Sequence, residues 1–439
     1  MHRTYSLLLV LSLLCSGLCA HIASLPTRHT ATGILLKDTL EQPTDTVTPD
    51  TLAAPSAGDE DEGVEPNEAD EADPLEPLDV RLRHLLDNGI FDRTQVGIYV
   101  YDLTADSLLF TYHERQCMRP ASNEKLITAI TALHELGTNY EYTTRFYTDG
   151  EVSDSTLHGH LYVKGGYDPL LDASDLRAVT DSLRARGIYR IEGDIRTDLS
   201  FKDSKRWGWG WCWDDDEVPL TPLLYKNKDR FAEGIRTALH EAGIGCNGSV
   251  QEGRIPSSAQ KLCTRSHHID QVLLPMMKQS NNSMAESLFY QMASHRTSQP
   301  ASRKQGAQCV NELISQLGLT PSHYQIADGS GLSLYNYLTP ELLGNMLRFA
   351  YRNEAIYRHL LPSLPIAGED GTLRKRMRGT RAQGNVKAKT GTVEGVSTLS
   401  GYCTTAAGHV LCFSIMNQGI RHTSTGRNFQ DRVCRTLVR

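Results

Sequence analysis

Arg119-Pro120-Ala121-Ser122-Asn123-Glu124-Lys125-Leu126-Ile127-Thr128-Ala129-Ile130 is the stretch on which the reading of this 439-residue chain turns. Leu126, Ile127, Ile130, Leu133 and Leu136 recur at helical spacing until Gly137, which predicts a buried helix with Ser122 in its first turn. Helix positions three apart share a face, so the Lys125 ammonium can reach the Ser122 hydroxyl. Burial and neighbouring positive charge lower a lysine pKa, and a neutral Lys125 would then take the serine proton. The unpaired N–H groups of the helix N-terminus suit a developing oxyanion. Spacing alone is weak, since Ser-x-x-Lys arises about once or twice by chance in a chain of this length. Ser258-Ala259-Gln260-Lys261 is such a match and opens no apolar helix. Taken alone, Ser122 could equally be a helix N-cap and Lys125 a solvated surface residue.

Two later motifs complete a constellation. Ser280-Asn281-Asn282 lies between apolar helical patterns at Leu273, Met276, Met277 and at Ala285, Leu288, Phe289, Met292, so Ser280 and Asn282 are expected on a short interhelical loop. Ser280 could pass a proton between Lys125 and a leaving amine, and the Asn282 amide could both donate to and accept from a substrate peptide. Lys389-Thr390-Gly391-Thr392 sits in strand-like sequence from Val386. A glycine there would let a substrate lie along the strand edge; Lys389, Thr390 and Thr392 would hold a carboxylate, and the Thr392 N–H could complete an oxyanion hole. A polar loop and a lysine-guarded edge strand are the plain structural alternatives.

The wider text resembles the D-alanyl-D-alanine carboxypeptidase/endopeptidase family of class C low-molecular-mass penicillin-binding proteins. The resemblance is carried by Arg119 to Ser122, Ile127-Thr128-Ala129, Ile326 to Ser333, Leu364 to Leu373 and Val386 to Thr392, and runs from about residue 80 to the C-terminus. It implies a serine peptidase that cleaves after the penultimate D-alanine of peptidoglycan stem peptides through an acyl-enzyme on Ser122. Lys125 would be the general base, Ser280 and Asn282 the second catalytic element, and Lys389 with Thr390, Gly391 and Thr392 the carboxylate-binding strand. β-Lactams would acylate the same serine as covalent inhibitors, and no metal or cofactor is implied.

The resemblance also places a tryptophan-rich turn over the cleft, here Trp207-Gly208-Trp209-Gly210-Trp211-Cys212-Trp213-Asp214-Asp215, with Asp215 as the candidate partner of a diaminopimelate amino group. The bulk of four tryptophans favours a packed aromatic cluster, with or without that ligand role. Two departures stand out. Only 155 positions separate Lys125 from Ser280, so one of the family's inserted modules is expected to be missing or reduced, and Gly165-Gly166-Tyr167-Asp168-Pro169 carries an unexpected tyrosine.

Arg3 followed by an apolar run from Leu7 to Leu14 and small residues up to Ala20 reads as an export signal, too short to span a bilayer. Leu14 and Leu18 before Cys15 and Cys19 argue against a lipid anchor, which makes the periplasm the expected location. Residues 21–79 form an acidic segment expected to be a disordered tether. Residues 59–79 hold eleven acidic groups, so the net charge of −7 becomes +4 without them, and no basic run points to nucleic acid. No further segment would cross a membrane.

Eight cysteines follow the signal without zinc-like spacing. If Ala407-Gly408 is a two-residue hairpin loop, Cys403 and Cys412 face each other across it, a placement that meets disulfide geometry only marginally.

The fold class expected is α/β: a transpeptidase/β-lactamase-like core, an antiparallel sheet flanked by helices, at residues 80–144 and 266–439. An inserted, smaller strand-rich domain is expected at 145–265. Competing functions are a β-lactamase or esterase of the same superfamily, for which no dedicated water-activating glutamate is evident, and a noncatalytic wall-binding module, against which the intact nucleophile and base argue.

Overall fold

The computed structural model describes residues 76–215 and 217–439. The export-signal reading and the tether as far as residue 75 lie outside the described residues. Helix Leu78–Leu86 begins before the expected tether boundary at 79, because Leu82 and Leu85 bury against the core.

Alternating apolar residues in Gln95–Asp102 build a strand buried on both faces. It pairs with Ser107–Tyr112 as a hairpin, and on its other side with Val410–Gln418. Val396–Thr404 and Lys387–Val393 follow outward, all pairings antiparallel, so both ends of the core sequence meet in the middle of one five-stranded sheet. Ile98, Val100, Leu399, Phe413 and Ile415 point to one face and pack with Phe429, Val433 and Leu437 of helix Thr423–Leu437. Tyr99, Tyr101, Tyr402 and Met416 point to the other, against helices Glu124–Leu136, Asn282–His295 and Pro340–Arg352. Each fully buried Leu or Ile contributes roughly 1.5–3 kcal/mol through burial.

The strand-rich insert has its own core around Phe146, Leu161, Val163, Leu176, Ile195 and Ile235. Its five-stranded sheet runs in the order 250–252, 195–198, 161–164, 141–148, 260–268 and mixes parallel with antiparallel pairs. A four-stranded sheet of short strands lies beside it in sequence. The stretch Ile191 to Arg196 is divided between two strands: Arg190–Ile191 belongs to the small sheet and Ile195–Asp198 to the large one. The unexpected Tyr167 takes a left-handed φ of 54° and is buried against Phe201 and Tyr290. Its carbonyl accepts from Ser287 Oγ at 2.5 Å, tying the insert to helix Asn282–His295.

The cysteine hairpin corrects the sequence reading. Thr404 pairs with Val410, so the loop is odd in length; Cys403 lies opposite Leu411, and Cys412 opposite Tyr402. A one-residue change in register sends the two thiols to opposite faces of the sheet, and all eight described cysteines are free. Among the described residues no helix is long and apolar enough to cross a membrane.

Candidate active site

Ser122 sits in a short 3-10 turn, Ala121–Asn123, that runs into helix Glu124–Leu136. Ala121 before it has a left-handed φ of 46°, a conformation L-residues hold only when their surroundings impose it. The imposing surface is the loop around Gly331, where an added Cβ would lie 1.9 Å from the Ala121 carbonyl oxygen. The turn is also held through Thr398, whose Oγ1 donates to Pro120 O at 2.8 Å and accepts from Asn123 Nδ2.

One turn along the helix, Lys125 is fully buried. Its Nζ donates to Ser122 Oγ at 2.9 Å, Asn282 Oδ1 at 2.6 Å and Ser330 O at 2.7 Å. Burial brings its pKa down to about 8, against the opposing pull of Asp328, Glu286, Glu217 and Glu124. Glu286 is buried too, its Oε1 accepting from the Gly329 and Ser330 N–H groups at 3.1 and 2.9 Å, and burial followed by the Asp328 charge pushes its carboxyl up to about 8. Burial likewise raises Glu124 well above the usual carboxylate range.

Ser280 occupies the expected interhelical loop, between Ile269–Lys278 and Asn282–His295, with a left-handed φ of 61°. The buried Lys389 donates to Ser280 Oγ at 2.9 Å and to Thr390 O at 2.7 Å. Burial, with the Lys125 charge adding to it, holds the Lys389 pKa well below its ordinary value. Ser122, Lys125 and Asn282 therefore form one hydrogen-bonded group and Lys389 with Ser280 a second, the two coupled through the charges of their lysines, with both amines buried and the serines and the amide partly exposed.

On the edge strand, Thr390 is partly exposed and Thr392 exposed. Thr390 Oγ1 donates to Thr372 Oγ1 at 2.7 Å, an anchor that the sequence reading assigned no role. At Gly391 a Cβ would meet Thr398 Oγ1 at 2.2 Å and Pro120 O at 2.7 Å. The space opened by that glycine is filled by the turn carrying Ser122.

The tryptophan turn is not the packed cluster expected. Trp207 and Trp209 are about half exposed, at 57% and 46%, and Trp213 is 96% exposed. Trp209 lies against Tyr335 and under the Arg303 guanidinium. Trp211 alone turns inward, its Nε1 donating to Asp328 Oδ2 at 3.0 Å. The glycines explain the difference, since Gly208 lets the Trp211 ring close over the turn and Gly210, with φ of 82°, lets it fold onto Ser333 and Tyr335. Asp215, half-buried, accepts from Cys212 N at 2.6 Å and so closes its own turn. The acid that reaches the cluster is Glu217, whose Oε1 accepts from Asn282 Nδ2. Nothing in its local sequence marked it. A cavity of about 510 Å³ lined by Asp198, Lys202, Arg206, Thr221 and Arg254 shares no residue with this constellation.

An antiparallel sheet flanked by helices, with a serine and a buried lysine on one helix turn beside a second serine and a second buried lysine, is the setting of a serine-type peptidase. The chain belongs to the D-Ala-D-Ala carboxypeptidase 3 (S13) family, whose sequence profile matches residues 78–224 and 224–438. It is 27% identical to the D-alanyl-D-alanine carboxypeptidase DacB of Haemophilus influenzae, over 76% of this chain and 86% of that protein. To the D-alanyl-D-alanine carboxypeptidase of an Actinomadura species it is 28% identical, over 76% and 80%. The crystal structure of penicillin binding protein 4 from Haemophilus influenzae superposes with a TM-score of 0.71 at 24% identity, covering 79% of this chain and 96% of that one. That protein has also been solved in complex with a β-lactam.

Proposed function

We propose that this enzyme is a D-Ala-D-Ala carboxypeptidase, a DD-endopeptidase or both, acting on peptidoglycan stem peptides in the periplasm through an acyl-enzyme on Ser122. The observation that carries this reading is the fully buried Lys125 with Nζ 2.9 Å from Ser122 Oγ. A neutral amine offers two N–H groups and one lone pair. Asn282 Oδ1 and Ser330 O take the two N–H groups, which leaves the lone pair for the serine proton.

The Ser122 alkoxide attacks the carbonyl carbon of the penultimate D-alanine, and the N–H groups of Ser122 and Thr392 receive the oxyanion. The proton taken by Lys125 passes to the departing amine by way of Ser280, whose Oγ accepts from Lys389 and therefore keeps its own O–H for donation. Lys389, Thr390 and Thr392 hold the substrate's terminal carboxylate along the edge strand. Asp215 is the candidate contact for an amino group on the stem peptide. Water then attacks the acyl carbon and releases Ser122. A β-lactam enters the same route but leaves an acyl group that water removes slowly.

Intact-protein mass spectrometry with penicillin, beside a Ser122→Ala control, tests this reading together with D-alanine release from a pentapeptide. The expected result is a drug-mass adduct on the native protein alone, and D-alanine release that the control lacks. No adduct with the drug intact would favour a wall-binding module, and rapid drug hydrolysis would favour a β-lactamase.

A further inference from the structure

Asn282 stands between two groups of opposite hydrogen-bonding character. Its Oδ1 accepts from Lys125 Nζ and its Nδ2 donates to Glu217 Oε1. An ammonium or amine N–H can only face the amide oxygen, and a carboxylate can only face the amide nitrogen, so the two neighbours together fix which way round the carboxamide sits. Glu217 arrives from 65 residues away in sequence, on the segment that follows the tryptophan turn.

That segment is anchored. Trp211 holds its upstream part to Asp328, which also accepts from Gly331 N at 2.8 Å and Ser333 N at 2.7 Å. Leu220 N donates to Arg206 O at 2.8 Å on the downstream side. The loop gripped by Asp328 is the one whose Ser330 carbonyl accepts from Lys125. The segment therefore touches the lysine's hydrogen-bond shell twice, through Asp328 and through Glu217.

We propose that Glu217 is a positioning residue for the peptidase reaction: its carboxylate holds the Asn282 amide with Oδ1 toward Lys125, and so keeps the lysine lone pair directed at Ser122. The inference rests on the acyl-enzyme reading above. Without Glu217 the amide can turn over and present Nδ2 to Lys125. It would then donate into the lone pair that must receive the serine proton. The loss falls on the chemical step, because substrate binding along the edge strand does not involve this amide orientation.

The test compares Glu217→Ala with Glu217→Gln in the full chain. With a pentapeptide substrate, Glu217→Ala should lower kcat by about 10- to 100-fold, within the range set by general-base contributions, and leave KM within about threefold. Glu217→Gln keeps an acceptor oxygen for Asn282 and should recover most of kcat. Its missing charge should move the alkaline-rising limb of the pH profile to lower pH, since the Glu217 charge raises the Lys125 pKa. A second readout is independent of turnover: in protein carrying 15N in its asparagine side chains, the amide signal that vanishes in Asn282→Asp should shift in Glu217→Ala.

Unchanged kcat in Glu217→Ala, a loss in KM alone, or an unmoved Asn282 signal would overturn the positioning role. A wild-type protein that neither releases D-alanine nor takes up penicillin would overturn the acyl-enzyme reading instead, and the amide signal would still decide the placement of Asn282.

Discussion

Three buried carboxyl groups, Glu124, Glu286 and Asp328, crowd around Lys125, and burial favours the protonated form of Glu124 and Glu286. For Glu286 the sign is definite. Its folded pKa of about 8 lies above the ordinary 4.5, so the folded protein keeps a proton that the unfolded chain gives up. The stability linked to that proton is complete below the ordinary value and is lost as pH rises toward 8. Glu286→Gln keeps an oxygen for the Gly329 and Ser330 N–H groups and cannot ionise. The melting temperature of the native protein should therefore fall relative to that of Glu286→Gln between about pH 5 and pH 9, with the gap read by calorimetry. Equal curves would show that this carboxyl is ionised throughout. Ser122, Lys125 and Lys389 could be picked out of the sequence as candidates because their residue types and spacing carry the chemistry. Glu217 and Asp328 could not, because a carboxylate gains its role only from partners that the fold brings to it.

Among elements, the loop Asp328–Ser333 and the edge strand Lys387–Val393 both press backbone against the turn that carries Ser122. Gly331→Ala and Gly318→Ala separate two effects. Both glycines have left-handed φ values, 81° and 77°, but a Cβ at Gly318 meets nothing within 4 Å, whereas at Gly331 it collides with the Ala121 carbonyl. Gly318→Ala should cost about 1–2 kcal/mol of stability, the conformational penalty alone. Gly331→Ala should cost this plus about 1–3 kcal/mol of overpacking and should also depress acylation by penicillin, because the displaced atoms adjoin Ser122. Denaturant titration with acylation rates checks both. The helix after Ser122 and the two that flank Ser280 could be placed from apolar periodicity. Short insert strands were less legible, since a run such as Ile191 to Arg196 carries no mark of where one sheet ends and the next begins. The Cys403 hairpin failed for a sharper reason: one residue of loop length inverts the facing of every side chain after it.

Across the whole molecule the eight described cysteines divide by depth. Cys117 and Cys212 are exposed; Cys309, Cys403, Cys412 and Cys434 are buried, their thiols pushed up by burial. Maleimide added to the native protein should label Cys117 and Cys212 first, and peptide mapping should find the four buried thiols modified only after denaturation, without reductant. Failure of Cys403 and Cys412 to react in denaturant would mean that they are crosslinked. The reading of an insert between Lys125 and Ser280 came from the length of that interval and from the short strands within it. That Glu217 reaches Asn282 beside Lys125 could not be read from the sequence, because the contact spans elements with no shared local pattern.

The central sheet also has an order of arrival. Gln95 and Gln418 are cross-strand neighbours 323 positions apart, whereas the strands of the insert's main sheet all fall between Glu141 and His268. During synthesis the insert can close its core while the hairpin Gln95–Tyr112 still lacks its inner neighbour. The helix turn bearing Ser122 waits as well, because Thr398, which braces it together with Gly391, is made 278 residues after Pro120. A ribosome-bound chain of this enzyme therefore carries Ser122 without the scaffold that braces it until strands Lys387–Val393 and Val396–Thr404 have been made and have joined the sheet.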